Sequence, residues 1–329
     1  MTSNNSWEEI KITDIDGVRI GNAQDYEGMT GVTVVIFDKP CSGGIDISGG
    51  GPASRETHLL SPLANESDML NAIVLSGGSA YGLAASTGVM QYLQEHKMGY
   101  YTSGSFVPLV CQSCIFDLSI GKPAIFPSAE MGYKACQDSE KNNPISGIIG
   151  AGTGAVVGKV GDISQGEKSG IGYYAVQIGD LKMAAIAVVN ALGDIHDYKT
   201  GQKVAGMMNK ERTHYISAES EVYTSPLSLN TRQNTTLGII ITNADFSQAD
   251  MSKVASMARA AFGRCIYPVG TMADGDTIYA VSIGKDLKAD ISMVGALAAS
   301  VLSEAICDAV RCSHMSEQEF LSKVKNRNN

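Results

Sequence analysis

Thr231-Arg-Gln-Asn-Thr-Thr-Leu-Gly-Ile-Ile-Ile-Thr242 changes character in its middle. The left half is polar and reads as loop. The right half is β-branched and apolar, is bounded by Asn243, and reads as a buried strand over 236–242. Thr235 therefore stands where a loop enters a core strand, its hydroxyl held by the sheet. In that position it can attack the carbonyl of Asn234 and turn the peptide into an ester. Water then releases a new N-terminus that carries a hydroxyl nucleophile and its amine base on one residue. The plainer reading is a threonine pair of ordinary β propensity. The rest of the chain has to decide between the two.

The chain has 329 residues, enough for one large domain or two small ones. Its net charge of −9 and scattered basic residues argue against nucleic acid and anionic membrane as partners. The polar, acidic start Met1-Thr-Ser-Asn-Asn-Ser-Trp-Glu-Glu9 does not read as a signal peptide, and no apolar run reads as a membrane span. Seven cysteines without dense spacing point to a reducing cytoplasm. Cys111-Gln-Ser-Cys114 lacks the second half of a zinc site, so it reads as two buried cysteines beside Val107, Leu109 and Ile115. No His/Cys/acid cluster has ligand spacing, and no metal is expected.

In chain order, Trp7–Gly21 carries spaced isoleucines around Asp16-Gly17 and reads as a hairpin. Thr30–Phe37 is a strand, and Gly49-Gly-Gly-Pro-Ala-Ser-Arg-Glu56 a loop. Ala72–Leu75 is a short buried strand that runs into Ser76-Gly-Gly-Ser-Ala-Tyr-Gly82 and a helix from Ala80 to His96. The loop either offers backbone N–H groups of Gly77, Gly78 and Ser79 to an oxyanion or is a close packing turn. Pro108–Leu118 reads as a strand and 126–146 as irregular. Gly150, Gly152 and Ala155 fit a loose dinucleotide fingerprint, and Gly158-Lys159 the end of a phosphate loop. The first lacks a following helix, and the second lacks glycine at Thr153 and Ser/Thr at Val160. No organic cofactor is expected. Gly170–Ile178 and Met183–Asn190 form a hairpin turning at Gly179-Asp180. Residues 197–233 are polar, exposed and irregular. A helix follows over 248–262, then Ala273-Asp-Gly-Asp-Thr-Ile-Tyr-Ala-Val-Ser282 at the mouth of a strand, then an amphipathic helix over 291–310.

This order of short motifs resembles the self-cleaving L-aminopeptidase/D-esterase family, which includes the β-peptidyl aminopeptidases and the endo-type 6-aminohexanoate-oligomer (nylon) hydrolases. The stretches that carry it are Ile12-Thr-Asp-Ile-Asp-Gly-Val-Arg-Ile-Gly21, Gly31-Val-Thr-Val-Val35, Gly50-Gly-Pro-Ala-Ser-Arg-Glu56, Leu75-Ser-Gly-Gly-Ser-Ala-Tyr-Gly-Leu83, Val107-Pro108, Phe116-Asp-Leu118, Gly152-Thr-Gly-Ala155 with Gly158-Lys159, Ala187-Val-Val-Asn190, Asn234-Thr-Thr236 and Asp274-Gly-Asp276.

The resemblance implies a four-layer αββα sandwich of the N-terminal-nucleophile type. It implies one domain cut into 1–234 and 235–329, assembled as a homo-oligomer, often a tetramer of such pairs. It carries the nucleophile over as Thr235 and the following acids as Asp274 and Asp276. The active-site lysine and asparagine carry over as Lys159 and Asn190. Phe116 stands where relatives place a tyrosine near the nucleophile. The residues agree: Asn190, Thr235 and Asp274 each sit at a strand end, and Asn190 offers a neutral donor to a tetrahedral oxyanion. Lys159 either anchors the site or is a solvated charge. Asp274 and Asp276 share a face if the strand is regular and diverge if Gly275 breaks it. The expected partner is a small peptide or amide. An acyl transferase resembling ornithine acetyltransferase, or a non-catalytic binder on the same fold, are the rival readings.

Overall fold

The computed structural model describes residues 7–64, 68–224 and 234–324. Ten strands carry the fold: β1 (Glu8–Ile10), β2 (Val18–Asp25), β3 (Thr30–Ile47), β4 (Ala53–Arg55), β5 (Leu70–Ser76), β6 (Leu109–Cys114), β7 (Ile171–Ile178), β8 (Leu181–Asn190), β9 (Thr235–Ala244) and β10 (Thr277–Leu287). They make two stacked sheets that share the long strand β3. Its first half pairs with β2 and β5; its second half, Ser42–Ile47, pairs with β10. One sheet runs β1-β7-β8-β9-β10-β3, the other β2-β3-β5-β6-β4. β9–β10 and β5–β6 are parallel pairs; the rest are antiparallel.

Side-chain alternation sorts the apolar residues into three layers. Val35, Phe37, Ile73 and Leu75 of one sheet pack against Ile186, Val188, Leu237, Ile239 and Tyr279 of the other. The outer face of the second sheet, with Val32, Val34 and Val74, is covered by α1 (Ala85–Glu95) and α2 (Ala129–Asp138). The outer face of the first, with Ala185, Ala187, Ile240 and Ile278, is covered by α3 (Gln248–Ala258) and α4 (Ile291–Arg311). The result is the expected αββα sandwich. Among the described residues, α4 alone is long and apolar enough to cross a membrane, and it is packed into this core. Gly44 lets α3 lie directly on β3: a Cβ there would sit 2.1 Å from the Ser252 nitrogen.

The β7–β8 hairpin turns as expected at Gly179-Asp180, with Gly179 at φ +56. Several expectations need correction, among them the loop over 49–56, which contains β4. Residues 7–21 are no hairpin, because β1 pairs with β7 in one sheet and β2 with β3 in the other. The Asp16-Gly17 turn lies on a crossing between sheets, along which Ile12, Ile15, Val18 and Ile20 are buried. Residues 126–146 are not irregular throughout, since they contain α2, whose N-cap Ser128 accepts from the Met131 N–H. The helix expected from Ala80 starts as a 3-10 segment, Ser79–Ala84, and turns α-helical only at Ala85. Within 197–224 the chain forms a short strand, Lys203–Ala205, and a helix, Ala218–Thr224; residues 225–233 of the expected exposed segment lie outside the described residues.

Candidate active site

The ladder between β8 and β9 runs from Met183 opposite Thr242 to Asn190 opposite Thr235. Even-numbered residues of β8 and odd-numbered residues of β9 face the inter-sheet layer, as Ile186, Val188, Leu237 and Ile239 do. Asn190 and Thr235 are therefore cross-strand partners on that face, at the last rung of the ladder. β10 flanks β9 on the other side in parallel, Leu237 opposite Thr277, which lays Asp274-Gly-Asp276 alongside Asn234-Thr-Thr236.

The contacts at this end are dense. The Thr235 hydroxyl donates to the carbonyl oxygen of Asn234, the residue just before it. The same oxygen receives the Gly275 N–H at 3.1 Å. Asp276 accepts the Thr236 N–H at 2.6 Å and the Gly270 N–H at 3.0 Å. Asp274 accepts the N–H and hydroxyl of Thr271 at 2.8 and 2.6 Å. The regular strand starts only at Thr277, and the two carboxylates serve different partners, so the alternative in which Gly275 breaks the strand is the one found. The glycine loop after β3 backs this turn: Gly51 N donates to Asp274 O at 2.9 Å and Gly49 N to Asp276 O at 3.2 Å.

Lys159 donates to the Asn190 side-chain oxygen at 2.7 Å and to its backbone carbonyl at 3.1 Å. The Asn190 Oδ1 also accepts the Val156 N–H at 3.1 Å, and its Nδ2 donates to the Phe116 carbonyl at 3.0 Å. Phe116, Asp117, Lys159, Asn190 and Asn234 line a pocket of about 10 Å³, room for about one water.

The side chains of Lys159, Asn190, Asn234, Thr235, Asp274 and Asp276 are buried, which rules out the reading of Lys159 as a solvated charge. Burial lowers the Lys159 ammonium to about 7 against the pull of Asp274 and Asp117. Asp276 is raised to about 8 by burial and by the charge of Asp274. Asp274 is raised by burial, opposed by its Thr271 bonds and by Lys159.

The amides of the Gly77–Ser79 loop are already spent. Gly77 N donates to Gly31 O, Gly78 N to Asp117 Oδ1 and Ser79 N to Ile115 O. The loop is the close packing turn of the two alternatives, which corrects its reading as a set of oxyanion donors. Two further buried groups escaped the sequence reading. Asp117, which lines the pocket and is raised to about 6 by burial, and Lys168, lowered to about 7 by burial, are both buried. Their partners are largely backbone atoms, which leave no mark in a sequence. Cys111 and Cys114 lie within or at the end of β6 with their thiols buried and pushed up to about 12. Among the described residues, no three His, Cys, Asp or Glu side chains group as metal ligands.

Comparison with known proteins places this arrangement. A model of Peptidase family S58 matches residues 11–319. An uncharacterized aminopeptidase from Mycobacterium leprae (strain TN) is 36% identical over 294 residues, covering 83% of this chain and 78% of that protein. A 6-aminohexanoate-oligomer endohydrolase from Kocuria sp. (strain KY2) is 30% identical over 314 residues, covering 91% and 85%. In fold, the L-aminopeptidase D-Ala-esterase/amidase of Ochrobactrum anthropi, described as a variant of the Ntn hydrolase fold, matches with a TM-score of 0.71 over 97% of this chain and 91% of that one, at 16% identity. A Burkholderia sp. β-aminopeptidase matches with a TM-score of 0.66 over 95% and 92%, at 18% identity. A family match from the first crossing between the sheets to the last helix, joined by relatives that hydrolyse amide bonds, leaves one conclusion: the chain belongs to peptidase family S58 and is a hydrolase of peptide or amide bonds.

Proposed function

We propose that the chain cuts its own Asn234–Thr235 bond and then works as an amino-terminal-threonine peptidase on small peptides or amides. The observation that carries this reading is the double engagement of one oxygen: the Asn234 carbonyl holds both the Thr235 hydroxyl and the Gly275 N–H. Attack by Oγ1 on that carbonyl carbon puts negative charge on the oxygen, where the Gly275 amide already points. The C–N bond then breaks, the proton from Oγ1 ends on the departing Thr235 nitrogen, and water hydrolyses the ester left between Asn234 and Oγ1. In the cut protein the Thr235 amine takes the hydroxyl proton as Oγ1 attacks a substrate carbonyl. The leaving amine departs protonated, and water releases the acyl group from Oγ1.

In this reading the substrate acyl group sits where Asn234 now sits, and the pocket is small because Asn234 lines it. The Asn190 carboxamide faces that site and stabilises the substrate oxyanion, while Lys159, Asp274 and Asp276 hold Asn190 and the turn in place. Amide substrates are favoured by the named activities of the relatives, an aminopeptidase and a 6-aminohexanoate-oligomer endohydrolase. Seven unpaired thiols fit a cytoplasmic protein, here taken to be a homo-oligomer of cut pairs. Intact-mass measurement and N-terminal sequencing of aged protein test the reading. Two pieces are expected, the smaller beginning Thr-Thr-Leu-Gly, with Thr235→Ala whole and inactive and Thr235→Ser still cutting. A single whole chain without amide hydrolysis would refute it.

A further inference from the structure

Lys168 is buried, and its Nζ donates to three carbonyls: Gly152 O at 3.2 Å, Ala155 O at 2.7 Å and Ser169 O. Three acceptors use every hydrogen of an ammonium, and a neutral amine has one too few. Two of these carbonyls bracket Thr153-Gly154. Gly154 in turn lies against Asp117, where a Cβ on the glycine would fall 2.8 Å from Oδ2. Asp117 is buried too and accepts from the Thr30 hydroxyl and the Gly78 N–H, each at 2.7 Å. The 152–155 loop is thus clasped between a cation and an anion that attract each other.

Both ends of the clasp act on peptide units that hold Asn190. The peptide between Ala155 and Val156 is gripped at its oxygen by Lys168 and gives its N–H to Asn190 Oδ1. Because a peptide is planar, fixing the oxygen fixes the direction of the N–H. The peptide between Phe116 and Asp117 accepts Asn190 Nδ2 on its oxygen and continues into the Asp117 side chain. We propose that Asp117 and Lys168 are positioning residues, a buried charge pair that sets the direction of the Asn190 carboxamide through these two peptide units. The inference rests on the function proposed above, in which that carboxamide faces the substrate carbonyl.

The pair is separable from mere stability. Removing one charge leaves the other buried and unpaired, so Asp117→Asn and Lys168→Met each lower the melting temperature. The double variant removes both charges and regains part of the loss, but the Ala155 oxygen then keeps only the Ser169 N–H at 3.0 Å and the Asp117 side chain loses its charge. Its kcat should remain at least about tenfold below wild type with KM within about twofold, because a shift of about 1 Å in a supporting group can cost about 10²-fold. The second readout needs no activity. In uncut Thr235→Ala, labelled on asparagine nitrogen, the Asn190 side-chain amide hydrogens should exchange slowly with solvent. Adding the double substitution should speed that exchange. Recovery of kcat along with melting temperature, or unchanged exchange at Asn190, overturns the proposal. If the double variant does not fold, the single Asp117→Asn change in uncut Thr235→Ala, which removes one charge of the pair, takes its place: faster exchange supports the pair, unchanged exchange overturns it. A wild type that neither cuts nor hydrolyses amides refutes the proposed function instead, and the exchange comparison still decides the positioning.

Discussion

The Thr235 hydroxyl has almost no room beside it. A Cβ on Gly275 would lie 2.7 Å from Thr235 Oγ1 and 3.1 Å from Gly51 O, so any side chain there pushes either the hydroxyl or the glycine loop. Gly275→Ala should fold and should cut itself at least about tenfold more slowly, the hydroxyl having turned off the Asn234 carbonyl. A time course on denaturing gels reads this, and an unchanged half-life would show that the hydroxyl has slack. Asp276 makes a pH-dependent contribution to stability. Its folded value of about 8 lies far above an ordinary aspartate at about 3.9. The folded chain keeps a proton that the unfolded chain has lost. The group's contribution is therefore complete below about pH 4 and is lost as pH rises toward about 8. In uncut Thr235→Ala, adding Asp276→Asn should make the fall of melting temperature across that window shallower; equal slopes would mean that the carboxylate is charged throughout.

At the scale of elements, β3 and α3 meet without side chains between them at Gly44. Gly44→Ala must move the helix backbone, and the expected loss is about 1–3 kcal/mol, read from the denaturant midpoint. An unchanged midpoint would mean that α3 can slide. β9 and the β7–β8 hairpin were legible in the sequence, because a β-branched run and a Gly-Asp turn are local signals that tertiary structure had no reason to override. The Ile10–Ile20 stretch carries similar signals, yet its two flanking strands join different sheets, a choice made by partners far along the chain. α2 had a legible start in Ser128 and Glu130, but its short apolar stripe did not stand out among polar neighbours. Of the candidate site, Thr235 stood out at a strand start, while Asn190 and the two aspartates were carried over by the family resemblance, with which their places at strand ends and in a turn agree. Asp117 and Lys168 were not legible, because what gives them meaning is a set of backbone atoms brought together only by folding.

Across the whole molecule, residues 235–329 contribute β9, β10, α3 and α4, interior strands of one sheet and most of the helical layer over it. β9 is bonded to β8 on one side and β10 on the other, and β10 to β3. A cut before Thr235 falls at the end of a ladder and removes none of its rungs beyond that point. The two pieces should coelute from a sizing column in native buffer and part only in denaturant. Separation in native buffer would contradict the sheet order.

The strand shared by both sheets also sets an order in time. The first half of β3 can find β2 and β5 while the chain is still being synthesised, but Ser42–Ile47 must wait for Thr277–Ser282. By then the ribosome has long since passed the bond between Asn234 and Thr235. The Gly275 amide, which donates to the Asn234 carbonyl oxygen, arrives with the same late stretch. In the proposed reaction, a nascent chain therefore carries the bond to be cut before it carries Gly275. If the proposed cut occurs, its timing follows the direction of translation, and the fold needs no separate clock.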